Sequence, residues 1–398
     1  MATFLPFAGV RYDLDRVDLV DVVAPPYDVI DAAARARLEA RSPYNAVRVE
    51  LADDRDGEQR YEAIRRRLDG WMAEGILRRD PEPGFYVYRM GWHDDQGRAL
   101  QTTGVLGALE VSTPALGQVL PHERTMGKPK DDRLSLLRAT RTNLSAVWGL
   151  SLANGLSDLL DVSGPPVARC TDEDGVHHRL WYVTQPATLA AISDAVGSAP
   201  VMIADGHHRY ETALAYAGER AAASGGARGD FDQLLAFVVE LSEEQLEIRP
   251  IHRLLRGLPE GFDLAGSLAP YFDVVDAGGL PVGSRLIERM AGDGGLGLLE
   301  ADRAWLLMPR NGSATDPDSA RLDAALATLP SHELGFHHAP AAVVEMVRSG
   351  DAQAGVLLRP VPVDQIAATA RAGRRMPEKT TFFAPKPRTG LVFRRLDD

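Results

Sequence analysis

Five consecutive positions, Asp205-Gly206-His207-His208-Arg209, bring together a carboxylate, a glycine, two imidazoles and a guanidinium. That set is suited to holding a phosphate. A guanidinium grips an oxyanion through two parallel bonds, and each charge-assisted bond is worth roughly 1.5–3 kcal/mol. Glycine at 206 removes the side chain where a ligand would approach the backbone. Before the set, Pro200 to Ala204 is continuously apolar, like a short strand buried on both faces. After it, Tyr210, Ala213, Leu214 and Ala217 fall at i, i+3, i+4 and i+7, one face of a helix. The set is therefore expected at a strand-to-helix junction, where a helix N-terminus favours anions. Asp205 is expected to cap that helix.

Other polar stretches could fold over such a turn. The loop after Val119 contains His122, Glu123, Arg124, Lys128 and, further on, Arg133. Mobile polar loops between packed elements often carry catalytic groups. Glu123 is the candidate general base, with Lys128 and His208 the other catalytic candidates. His122, Arg124 and Arg133 join Asp205, Gly206, His207, His208 and Arg209 as candidate phosphate or nucleotide contacts. Tyr27 and Asp28 follow Pro25-Pro26, whose fixed backbone either presents them to a pocket or leaves Asp28 capping the helix predicted over 31–41. Asn143, His252, Arg253, Lys379 and Lys386 complete the possible pocket. The Pro-punctuated stretch Arg374 to Leu391 reads as an ordered basic arm over a pocket, with a solvated basic tail the alternative.

Two look-alikes carry less. His177-His178-Arg179 repeats the His-His-Arg motif inside an alternating strand, where neighbours point to opposite faces and no helix follows. It is expected to be structural or exposed. His332 and His337 are five apart, off one helical face, unlike a zinc-protease helix. Asp205 is the one candidate magnesium contact, through a nucleotide.

The net charge of -12 excludes a general nucleic-acid surface, which needs a basic face. A lone cysteine, Cys170, excludes an internal disulfide framework and paired-cysteine zinc sites. No apolar run of about 18 residues occurs, and the N-terminus lacks a signal-peptide pattern. The expectation is a cytoplasmic, non-membrane protein with small-molecule partners.

At 398 residues, two or three domains are expected. Composition shifts suggest an N-terminal α/β domain over 1–112, a central domain over 113–258 holding the DGHHR turn, and a C-terminal α/β domain over 259–398 ending in the basic arm. Strands are predicted over 17–24, 44–51, 85–92, 100–111, 146–152, 200–204 and 232–241, with a hairpin over 168–183. Helices are predicted over 59–74 and from about 206 onwards, and Gly292 to Leu299 reads as a flexible connection. The strands lack a regular βαβ period, so the fold class is α+β, with mixed sheets and packed helices.

PPYDVI at Pro25 to Ile30, PHERT at Pro121 to Thr125, DDR at Asp131 to Arg133, ADGHHRYETAL at Ala204 to Leu214, PIHRL at Pro250 to Leu254 and KTTFFAPKPRTGL at Lys379 to Leu391 resemble the domain-of-unknown-function 1015 family. The DGHHR segment is also similar to the phosphate-binding turn of the ParB/sulfiredoxin-like superfamily, including its free serine kinases. That resemblance implies phosphate contacts by Asp205 to Arg209 and a kinase-like transfer between a nucleotide, ATP or ADP with Mg, and a small hydroxylated metabolite such as L-serine. A phosphatase on the same phospho-metabolite, or a non-catalytic nucleotide-sensing regulator, are the alternatives. The turn lacks the cysteine that sulfiredoxin chemistry requires.

Overall fold

The apolar runs of the first 246 residues assemble into a mixed sheet with nine strands among the described residues. The structure is a computed structural model describing residues 2–94, 97–121, 129–278, 283–310, 317–374 and 376–397. It divides into two units, Met1–Leu246 with Pro385–Asp398, and Glu247–Ala384. The mixed sheets with packed helices make the fold α+β, as expected from the aperiodic strand spacing.

The strands of this sheet are β1 (Phe4–Leu5), β2 (Phe85–His93), β3 (Ala99–Glu110), β4 (Val119–Pro121), β5 (Val147–Ser151), β6 (Ala168–Thr171), β7 (His177–Val183), β8 (Val201–Asp205) and β9 (Gln233–Glu240). Their order is β4-β8-β5-β9-β3-β2-β7-β6, with β1 paired to β3. The β8/β4 and β9/β5 pairs are parallel and the others antiparallel. Continuous apolar runs such as Val201 to Ile203 are buried, as strands covered on both faces must be. Gly107 explains how β1 seats: a Cβ there would lie 2.3 Å from the ring of Phe4, which stacks on Phe85 with centroids 5.1 Å apart.

Helices α1 (Ala32–Arg41), α2 (Arg60–Ala73), α3 (Pro129–Thr140), α4 (Pro186–Gly197) and α5 (His207–Ala223) belong to this unit. Asp31, not Asp28, caps α1, accepting from the Ala34 amide at 2.7 Å. Two predicted strands are instead short helical turns, Leu19–Val22 and Val47–Glu50. The reason is local. Asn45 accepts from the Val47 amide at 2.9 Å and donates to the carbonyls of Asp21 and Val23, so its side chain supplies backbone partners that a strand would have taken from a neighbour.

The second unit carries an antiparallel sheet of β11 (His252–Arg256), β12 (Phe272–Gly278), β13 (Leu296–Glu300), β14 (Ala304–Pro309), β15 (Glu333–His337) and β16 (Ala354–Leu357), in the order β12-β14-β13-β16-β11-β15. Strands β10 (Glu247–Pro250) and β17 (Thr381–Ala384) form a separate antiparallel ladder in which Glu247 pairs with Ala384. Helices α6 (Gly283–Asp293), α7 (Asp318–Leu326), α8 (Pro340–Arg348) and α9 (Val363–Arg371) are the helices of this unit's described residues longer than two turns. Both sheet faces are buried: Leu255, Leu298 and Leu307 pack with Leu322 of α7, while Leu254, Leu299 and Leu306 pack with Leu286 of α6 and Val343 of α8.

The expected flexible connection at 292–299 is the end of α6 and the start of β13. One of its glycines, Gly297, serves close packing, since a Cβ there would meet Leu286 at 2.8 Å. Pro250 closes strand β10 (Glu247–Pro250). No helix among the described residues is long and apolar enough to cross a membrane.

His252 is 2% exposed in β11, with Nδ1 accepting from the Leu358 amide at 3.1 Å. Burial, followed by the neighbouring His337 and His338, pushes its pKa down to about 4. The unfolded chain therefore binds a proton that the folded chain refuses, and stability contributed by neutral His252 is full above about pH 6.5 and lost as pH falls towards 4. Thermal melts across that window should show His252→Gln losing less stability than the wild type, by up to about 3 kcal/mol. Parallel pH profiles for the two proteins would contradict the assignment.

Candidate functional site

Strand β8 ends in a register shift against β5 between Ile203 and Asp205. An irregularity of this kind re-aims the side chain that follows it. Gly206 then adopts a left-handed backbone, φ +88°, as the N-cap residue of α5. Only glycine fits easily there, because a Cβ would also come within 2.9 Å of the Arg209 guanidinium. With glycine at the cap, no side chain caps α5. The expectation that Asp205 is the cap is thus corrected.

Asp205 instead anchors two cations. One oxygen accepts from Arg209 Nη2 at 2.7 Å and the other from Lys386 Nζ. Burial alone would raise the Asp205 pKa, but the Lys386 ammonium and the Arg209 guanidinium overcome it and hold the carboxyl well below the usual range. Arg209 is correspondingly shifted upward: burial works against its charge and Asp205 outweighs that. Its Nη1 donates to the carbonyl of Ala146 at the start of β5. Lys386 belongs to the returning segment 385–398, which lies in the first unit.

Tyr27 joins this group. It starts a single helical turn, Tyr27–Val29, set by Pro26, and its ring lies beneath Arg133 at 4.4 Å and Arg209 at 6.0 Å. Burial chiefly raises its phenol pKa. Arg133 projects from α3, donates to Asp132 through Nε and Nη2, and donates to the Glu50 carbonyl at 2.8 Å. Glu50, 2% exposed, accepts from the Ser145 hydroxyl at 2.9 Å. Reading 44–51 as a strand concealed Glu50. A buried acid within a polar-flanked apolar run was the available signal.

Asp205, Gly206, His207, His208, Arg209, Tyr27, Arg133 and Lys386 are thus placed on neighbouring elements of the first unit, with His207 and His208 in the first turn of α5. Asp28 is exposed beside them. Asn143 is used structurally, its Oδ1 accepting from the Leu235 amide at 2.9 Å. His252, Arg253 and Lys379 lie in the second unit, where Arg253 donates to the carbonyls of Ile251 and Lys379 at 2.8 and 2.9 Å. His122, Glu123, Arg124 and Lys128 fall outside the described residues.

The second His-His-Arg alternates across β7 as strand geometry requires. His178 is buried between Asp172 and Tyr88, 2.8 Å from each, while His177 is exposed. Burial lowers the His178 pKa against the opposing pull of Asp172. Asp172 also receives Arg388, so this cluster fastens the returning arm two residues beyond Lys386. The histidines of 332–338 lie on or beside strand β15, and no group of three metal-ligating side chains occurs among the described residues.

Among solved structures, the chain is similar to a conserved hypothetical protein from Pyrococcus furiosus, at 12% identity over 73% of this chain and 93% of that one, with a TM-score of 0.39. It is also similar to a free serine kinase in complex with AMP, at 12% identity over 71% and 87% of the two chains, with a TM-score of 0.38. SbnI with a C-terminal truncation from Staphylococcus aureus matches at 12% identity over 71% and 84%, with a TM-score of 0.39. No curated protein matches the chain. Residues 4–329 match the family described as protein of unknown function, DUF1015, and the chain belongs to that family.

Proposed function

We propose that this protein is a phosphotransferase that moves a phosphoryl group between a nucleotide, ATP or ADP, and a small hydroxylated metabolite, with L-serine the first acceptor to test. The observation that carries the reading is the junction of β8 and α5, where a helix N-terminus, a left-handed glycine and two cations on one carboxylate meet. The start of a helix favours an anion, and Gly206 leaves the backbone open to it. Asp205 neutralises one of the two charges on Arg209 and Lys386 while fixing both cations in place, so the cluster keeps a positive balance for phosphate oxygens.

In this reading His207, His208 and Arg209 hold phosphates, and Glu123 accepts the proton of the acceptor hydroxyl. The hydroxyl oxygen bonds to phosphorus as the bond to the nucleotide's leaving oxygen breaks. Lys128 stabilises the charge in transit. Such transfer depends mainly on positioning and charge neutralisation. Asp205 does not fit a magnesium ion, because both its oxygens already face cations, and no step is assigned to a metal held there.

Thermal-shift titration with ATP, ADP, CTP, L-serine and phosphoserine tests the cradle. Saturating ADP should stabilise the wild type, by about 2.7 kcal/mol at a hundredfold excess over its dissociation constant. Gly206→Ala, His208→Ala and Lys386→Ala should lose most of that gain, and unchanged shifts in all three would remove the assignment. Lys386→Ala should also melt earlier without ligand, by about 1–3 kcal/mol, since the partly buried Asp205 carboxylate loses one of its two cations.

The chemistry is tested separately. Glu123→Gln should keep the ADP shift and form no product in single-turnover assays. A wild type that binds ADP yet converts no hydroxylated acceptor would point to nucleotide sensing instead.

A further inference from the structure

A cavity of about 60 Å³ lies beside the phosphate turn, lined by Glu50, Arg133 and Leu136, by the 142–145 segment, and by Arg209 and Thr212 of α5. Three of its lining residues carry buried polar atoms with no hydrogen-bond partner among the described residues: Glu50 Oε2, Arg209 Nε and Thr212 Oγ1. Glu50 is 2% exposed and Thr212 3%. Buried polar groups are almost always satisfied, so three orphans around one cavity require a polar occupant. The space suits a handful of heavy atoms and is far below the roughly 300–1,000 Å³ of a drug-sized pocket.

The groups define what that occupant must offer. An ionised Glu50 Oε2 can only accept, so it calls for a hydroxyl or ammonium donor. Arg209 Nε can only donate, so it calls for an acceptor oxygen. The charges choose between the donors. The charged residues that line the space are two guanidinium groups, Arg133 and Arg209, and one carboxylate, Glu50; Asp132 and Asp205 pair with those guanidinium groups from outside it. An oxyanion therefore finds more partners in the lining than an ammonium does.

We propose that this cavity is a subsite for a small hydroxy acid, with a hydroxyl other than the one that accepts the phosphoryl group donating to Glu50 Oε2 and its carboxylate accepting from Arg209 Nε and Thr212 Oγ1. The inference rests on the phosphotransfer reading for naming that molecule the acceptor substrate; its binding does not. Ser145 keeps Glu50 oriented by occupying Oε1, which leaves Oε2 for the ligand.

Ligand-observed NMR and calorimetry with glycerate, glycerol and ethanolamine as probes test the subsite on the full chain. Glycerate should bind saturably, glycerol about tenfold more weakly, and ethanolamine weakest. Glu50→Gln, which replaces an acceptor by a donor, and Thr212→Val, which keeps shape and removes the hydroxyl, should each weaken glycerate about tenfold. Thr212→Val keeps the test informative if Glu50→Gln impairs folding through the loss of charge beside Arg133. Failure of glycerate to saturate, tighter binding of ethanolamine, or unchanged glycerate binding in both variants overturns the proposal and leaves the cavity to water. The ADP shift separates the two ideas: its retention with no glycerate binding removes the subsite alone, and its absence with glycerate binding intact removes the phosphate cradle alone.

Discussion

The largely enclosed carboxylate of Asp205, held by two cations, is the constraint on which the candidate site of the first unit depends. An isolated carboxylate in that position would take up a proton rather than remain charged. Two cations keep it ionised, and each is thereby tied to a fixed place: Arg209 across the first turn of α5, and Lys386 from the far end of the chain. A buried ion pair adds little net stability over well-packed apolar groups, but losing one partner is costly. Its value here is positional. It sets where positive charge stands at the mouth of a helix.

A second layer of contacts ties this centre to the N-terminal loop. Tyr27 lies under both Arg133 and Arg209, and Arg133 reaches the backbone of Glu50. Three segments far apart in sequence therefore share one stack of a ring and two guanidinium groups. The planar guanidinium is what permits this, since it can lie over an aromatic face while its edges donate to a carbonyl or carboxylate. Lysine at 133 or 209 would lose one of those two functions.

The sequence was most informative where local chemistry and local structure agree. The apolar run, the glycine and the helical periodicity around 200–217 locate a strand, a turn and a helix, and all three are present. The alternation rule likewise separated His177 to Arg179 from the turn it imitates. It misled where a local rule met a distant partner. Asp205 has the ideal type and position for a cap, yet Lys386, 181 residues away, and Arg209 claim its oxygens. No spacing rule reveals a partner that distant. Val47 and Val49 carry strand propensity, and the Asn45 side chain turned the same residues into a helical turn that buries Glu50. Propensity is a weak prior against such specific hydrogen bonds.

The pairing of Glu247 with Ala384 has a consequence for how the chain acquires its charged centre. Asp205 and Arg209 leave the ribosome long before Lys386. Closing a loop of 181 residues to join them carries a large entropic penalty. Once the second unit folds, its first and last strands lie side by side, and the loop that remains to be closed shrinks to roughly forty residues, a reduction worth about 1 kcal/mol. The inserted unit thus shortens the loop that Lys386 has to close. The ion-pair centre at the start of α5 can be completed only once the whole intervening unit has been synthesised.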